Sequence, residues 1–269
     1  MNRLLLLLAA GLSLTATACQ PPDSPSRRGS LADLEPLTRY VDPFIGTGGH
    51  GHVYPGATVP RGMVQLSPDQ GQGGWDWIAG YNWEDSLLVG FSHTHLSGTG
   101  IGDLLDVLVM PVKEWFPVNQ PMEDRWDRDA KSRFSHEREE ASPGYYSVYL
   151  EDQAIQAELT ATARVGRHRY TFPATDQPAV LVDLGYGMNW DIPVETSIEV
   201  VSDTLVTGYR FSRGWARDQK LFFALAFSRP VRRVAFADSI TPLDALTQQQ
   251  VVEGAVRATS SPDSTCAPR

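Results

Sequence analysis

The stretch from Ile155 to Phe172, IQAELTATARVGRHRYTF, restricts the fold more than any other. Ile155, Ala157, Leu159, Ala161 and Ala163 alternate with Gln156, Glu158, Thr160 and Thr162. Side chains two apart share a face only in an extended chain, so this is a strand with one buried and one wet face. Other segments have strand composition too: YYSVYL from Tyr145, then AVLVDLG, SIEVVSD, TLVTGYRFS and KLFFALAFS, parted by short turn signals such as Ser202-Asp203. Upstream, glycine and proline crowd the run from Gly46 to Gly62 and leave no room for a long helix. Strands at short spacing without a helical pattern predict an all-β chain, a large antiparallel β-sandwich. The 269 residues, 42% hydrophobic, suffice for one large all-β domain with a sizeable core.

The ends read differently. Arg3 precedes an apolar run, Leu4 to Leu14, too short to span a bilayer, and Ala16-Thr17-Ala18 leads into Cys19. This resembles a bacterial lipoprotein signal, so residues 1–18 are expected to be a signal peptide and Cys19 the lipidated residue. Ordinary secretory cleavage after Ala18 is the alternative; either way the chain is expected to be exported, to the periplasm or the outer membrane. Residues 19–36, rich in Pro, Ser, Asp and Arg, read as a tether. At the other end VVEGAVRA looks like the start of a strand, and residues 259–269 read as a disordered or aberrant tail. The net charge of −9 gives no electrostatic reason to bind a polyanion, so nucleic acid is not an expected partner.

Chemistry concentrates between Gly48 and Asp106. In GGWDWIAGYNW, Trp75, Trp77, Tyr81 and Trp83 are interleaved with Asp76 and Asn82. Aromatic rings take the C–H face of a pyranose while carboxylates and amides take its hydroxyls. Tryptophans also fill sandwich cores, but Trp75 follows two glycines, which favours a loop and makes it the first choice for a sugar contact. Two His-x-His pairs, His50/His52 and His93/His95, each point to one side if extended. A zinc site needs three or four ligands, and no local set completes one. Calcium prefers oxygen, so these imidazoles suit it poorly. Two readings stay open for them: binding sugar hydroxyls as donor and acceptor, or satisfying buried backbone groups in glycine-rich loops. Asp103 and Asp106 read as turn-capping residues more readily than as a paired acid and base. The charge run EDRWDRDAKSRFSHEREEA reads as a solvated surface.

Several motifs in order carry a resemblance. YVDPFIGTGGHGHVYPGATVPRGMVQLSPD, followed by GGWDWIAGYNWEDSLLVGFSHTHLSGTGIGDLLDVLVMP, is similar to the N-terminal domain of glycoside hydrolase family 92, exo-acting α-mannosidases. The likeness extends through the strands, making residues 37–258 the sandwich domain. It implies a calcium-dependent inverting enzyme acting on mannose-containing glycans, with a helical barrel following the sandwich and the active site at their junction. Inversion uses one carboxylic acid and one carboxylate. In the family these, and most calcium ligands, belong to the helical domain, so no catalytic residue is assigned here, metal ligands are left unknown, and the chain alone is expected to be inactive. The resemblance implies that Trp75 lines the subsite beyond the scissile bond. The substrate-binding set is Trp75, Asp76, His93, His95, His50 and His52. The alternative function is a non-catalytic glycan-binding surface lipoprotein.

Overall fold

The computed structural model describes residues 36–71, 73–114, 130–236, 239–242 and 255–260. The signal peptide, Cys19, the tether up to Glu35, much of the charge run and everything past Ser260 lie outside the described residues. The chain divides at Pro36/Leu37 into two units, and every described strand belongs to the second.

The described elements are almost all strands, in antiparallel pairs, as the alternation predicts. They run β1 Ala57–Thr58, β2 Gln65–Asp69, β3 Leu87–Leu88, β4 Gly90–Ser92, β5 Leu108–Val112, β6 Ser132–Arg133, β7 Glu139–Ser142, β8 Tyr145–Leu150 and β9 Ile155–Ala161. Then come β10 Gly166–Thr171, β11 Ala179–Asp183, β12 Ile192–Ser202, β13 Leu205–Arg213, β14 Gln219–Ala226, β15 Val231–Phe236, β16 Ser239–Pro242 and β17 Ala255–Ser260. One sheet has the order β1-β2-β4-β5-β11-β17-β15-β16; the others are β10-β9-β8-β7, β12-β13-β14 and the pair β3-β6.

The layers follow from the pattern. Ile155, Ala157, Leu159 and Ala161 of β9 turn inward, as expected, and join Tyr146, Val148 and Leu150 of β8. They pack on Leu66, Phe91, Met110, Val112 and Leu181 of the large sheet. Val107, Val109 and Val182 face the opposite way and meet Ile198 of β12 and Val206 of β13. The middle of the large sheet is therefore covered on both faces, the four-stranded sheet on one and the three-stranded sheet on the other. That explains why β5, LVMPV, is an unbroken apolar run buried at every position. A third cluster, Val89, Leu105, Leu108, Tyr186 and Met188 with Trp77 against it, lies under the tryptophan-rich loop.

Candidate functional site

Two loops form the site's floor. Residues 46–52 are glycine-rich because the chain folds on itself: a side chain on Gly51 would meet the Gly46 carbonyl at 2.0 Å. The second loop carries the short 3-10 helix Trp75–Trp77 and continues to Glu84. Buried Asn82 clamps the two. Its amide N donates to the Gly49 carbonyl at 3.2 Å and the Asp76 carbonyl at 3.3 Å. Its backbone is held by Gln70, which accepts from Asn82 N at 2.6 Å and donates to the Asn82 carbonyl at 2.9 Å. Glu84 accepts from Gly49 N at 3.1 Å, and Trp83 N donates to the Thr47 carbonyl at 2.9 Å.

On this floor four of the six sequence-predicted residues meet. Trp75 is 56% exposed. His52 stands edge-on to its ring, centroids 4.4 Å apart, and His50 lies tilted at 5.4 Å. His50 Nδ1 pairs with Asp76 Oδ1 at 2.7 Å, and the Asp76 carboxylate raises the imidazole's pKa above its ordinary value. His52 is buried, and its Nε2 has no hydrogen-bond partner among the described residues. An open indole is thus bordered by a carboxylate–imidazole pair, with the buried His52 ring braced edge-on against it. A pyranose needs this combination: an apolar platform, an acceptor and a donor.

The other two, His93 and His95, are turned into the fold. Buried His95 donates from Nδ1 to the Gln65 carbonyl at 2.8 Å and sets Nε2 3.1 Å from Asp69 Oδ1. Asp69 Oδ2 accepts from Ser92 N at 2.8 Å. This pair ties the chain after β4 to β2, and Gly80 (φ +85°) passes so close that a Cβ would meet Asp69 Oδ1 at 2.4 Å. His93 donates from Nδ1 to the Val107 carbonyl at 2.8 Å. Its Nε2 then accepts from His168 Nε2 at 3.0 Å, while His168 Nδ1 accepts from the Tyr170 hydroxyl at 2.6 Å. Burial lowers the pKa of both His93 and His168, so the relay is neutral. Among the described residues neither His93 nor His95 hydrogen-bonds to or stacks on Trp75, Asp76 or His50. Of the two readings left open for this pair, the geometry supplies the satisfaction of buried groups.

Asp103 and Asp106 are both buried. Asp106 accepts from Thr94 Oγ1 at 2.7 Å and from Arg210 Nη1 at 2.6 Å. Fully buried Arg210 also bonds Asp191 and the carbonyls of Leu184 and Tyr186. Asp103 Oδ2 accepts from Trp215 N at 3.0 Å. These are structural roles, spread over long sequence separations rather than confined to one turn.

Sequence reasoning missed a further buried carboxylate in the charge run. Glu139, in the run read as solvated surface, accepts from Tyr81 at 3.0 Å, Tyr146 at 2.6 Å and His136 Nδ1 at 2.6 Å. The His136 ring stacks on Trp83 at 3.7 Å. Tyr146, on the inner face of YYSVYL, was the available signal: a buried phenol needs an acceptor. Among the described residues no group of three or more His, Cys, Asp or Glu side chains lies close enough to hold a metal ion.

Comparison with known proteins matches this architecture. A family model described as the glycosyl hydrolase family 92 N-terminal domain matches residues 40–263. The family 92 alpha-mannosidase of Bacteroides thetaiotaomicron solved in complex with mannoimidazole superposes with a TM-score of 0.75 at 33% identity, over 85% of this chain and 31% of that one. The family 92 inverting mannosidase of Bacteroides thetaiotaomicron VPI-5482 superposes with a TM-score of 0.64 at 27% identity, over 85% and 30%. An uncharacterized secreted glycosidase of Arthroderma benhamiae is 33% identical over 158 residues, 55% of this chain and 20% of its own. The chain thus spans about a third of the solved relatives' length. In sequence and in fold, the chain belongs to glycosyl hydrolase family 92 and carries its N-terminal domain.

Proposed function

We propose that this chain supplies one wall of the mannoside site of an exported, inverting α-mannosidase. The observation that carries the reading is Trp75, an open indole beside the His50–Asp76 pair. Mannose stacks its apolar face on Trp75. The Asp76 carboxylate accepts from one hydroxyl, and His50 donates to a second oxygen. This wall orients the sugar beyond the scissile bond and keeps water from one side of it.

The acid and base carboxylates, and the calcium, are supplied by the helical barrel domain that follows in longer family members. The mannoimidazole complex of one solved relative supports the substrate class, and the name of the Arthroderma benhamiae relative supports export. Lipidation at Cys19, with a membrane anchor behind a tether, belongs to the same proposal. Without the barrel the same wall would make a non-catalytic glycan-binding surface lipoprotein, the second reading, and Trp75 serves both.

An α-mannobiose titration followed by calorimetry tests the wall. Binding heat in the wild-type chain, kept in Trp75→Phe and lost in Trp75→Ala, is expected. Equal binding in Trp75→Ala would remove Trp75 from the site.

A further inference from the structure

Behind the wall, the end of the second floor loop is held by a charge. Trp83 braces the glycine-rich loop: its N–H donates to the Thr47 carbonyl, its ring meets Phe44 edge-on at 5.1 Å, and a Cβ on Gly48 would meet its Cβ at 3.4 Å. The Trp83 ring also stacks on His136, 3.7 Å away and 6° from parallel, and the Trp83 carbonyl lies 2.8 Å from His136 Nε2. His136 Nδ1 lies 2.6 Å from Glu139 Oε2. Each ring nitrogen thus faces an acceptor, a carbonyl and a carboxyl oxygen. The Glu139 side chain is fully buried, and a buried carboxylate needs a cation beside it. Tyr81 and Tyr146 donate to it but bring no charge; burial, and then the Glu139 charge, push both phenols above their ordinary range. Compensation therefore falls to His136, because imidazole is a stronger base than a carboxylate and takes the proton between them. The other nearby charges are spent or turned elsewhere: Arg138 lies over the Tyr149 ring, Glu84 takes Gly49 N, and Asp85 takes the Trp77 indole N–H.

We propose that His136 carries a proton on both ring nitrogens and is a positioning residue of the glycan wall: as an imidazolium it fixes Trp83, and through Trp83 the loop that bears His50, so that glycan affinity depends on its second proton. This rests on reading Trp75 and the His50–Asp76 pair as a glycan wall. Two bonds to acceptors need two donated protons, which only the imidazolium has. A cation also lies on an indole face more firmly than a neutral ring, and its charge-assisted bonds are roughly twice as strong as neutral ones. The path to the wall is short. Trp83 bonds Thr47, three residues before His50, and its neighbour Asn82 bonds the Gly49 and Asp76 carbonyls. Losing the proton from Nδ1 turns a lone pair toward the Glu139 carboxylate and loosens the ring on Trp83. A looser loop must be ordered when the sugar binds, which lowers affinity.

Long-range 1H–15N correlation of the labelled chain at pH 7.5 reads the ring directly. Two protonated nitrogens are expected at His136 in the wild-type chain, and one in Glu139→Gln, whose amide donates to Nδ1 and satisfies a neutral imidazole. Calorimetry with α-mannobiose reads the consequence: affinity about three- to tenfold weaker in Glu139→Gln than in wild type. Raising the pH through the step in which His136 loses a proton should close that gap, since the wild-type ring is then neutral too. The His50–Asp76 pair titrates in both proteins and cancels from their ratio. A single protonated nitrogen at pH 7.5 in wild type, or two in Glu139→Gln, would overturn the imidazolium. Equal affinities despite the expected ring states would overturn the positioning role. Where neither protein binds α-mannobiose at any pH, the wall itself fails. In that case, or if Glu139→Gln does not fold, the wild-type Thr47 amide decides: a shift in step with His136 supports the lock, and none overturns it.

Discussion

Trp75 and His95 stand fewer than thirty residues apart and answer to opposite physics. More than half of Trp75 is open to solvent, whereas the His95 side chain is fully buried against Asp69. Trp75→Ala should therefore change unfolding free energy by less than about 0.5 kcal/mol, as surface changes do, while removing glycan binding. His95→Ala leaves the Asp69 carboxylate buried without its partner and should cost about 3 kcal/mol or more in urea denaturation. The first residue was legible because Gly73 and Gly74 place it on a loop. The second was not: the period of two in SHTH says that His93 and His95 share a side, and nothing in it says whether that side faces solvent. Their partners, Gln65, Asp69, Val107 and His168, lie 14 to 75 residues away.

At the level of the strands, two cross-layer ties carry measurable consequences. The relay from β10 joins the four-stranded sheet to the chain after β4 through His168 and His93, both held neutral. An unfolded histidine takes up its proton near about 6.5, while these resist it until lower pH. Below that value the unfolded chain binds more protons, so stability present at neutral pH is lost as pH falls through the folded values. The slope is at most roughly 1.4 kcal/mol per pH unit for each histidine. Urea midpoints at pH 7.5 and 5.5 should differ accordingly, and His168→Gln, which keeps a donor and an acceptor, should reduce the difference by about half. The second tie is Arg210 of β13. Arg210→Met should destabilise by about 3 to 5 kcal/mol in the same assay, and Arg210→Lys should not restore it, because one ammonium cannot reach two carboxylates and two carbonyls. The strands themselves were readable wherever one face is wet, as in β9. The third layer was not, because a strand covered on both sides, like β5, shows no alternation. Arg210 did leave a trace: it shares inward parity with Val206 in TLVTGYRFS, a charge at a core position.

Across the whole molecule the sandwich carries an open indole, Trp75, beside the His50–Asp76 pair, and we read that surface as a sugar wall. Family membership was legible because its motifs are long and ordered, and the division of labour we propose rests on it: glycan orientation here, catalytic carboxylates in the barrel of longer members. One experiment meets that claim directly. The purified chain is incubated with an α-mannobiose while the Trp75 indole resonance and free mannose are measured in the same sample. A saturable shift at Trp75 is expected, with no mannose released. Mannose released by this chain, or a glycan that binds without moving Trp75, would contradict it.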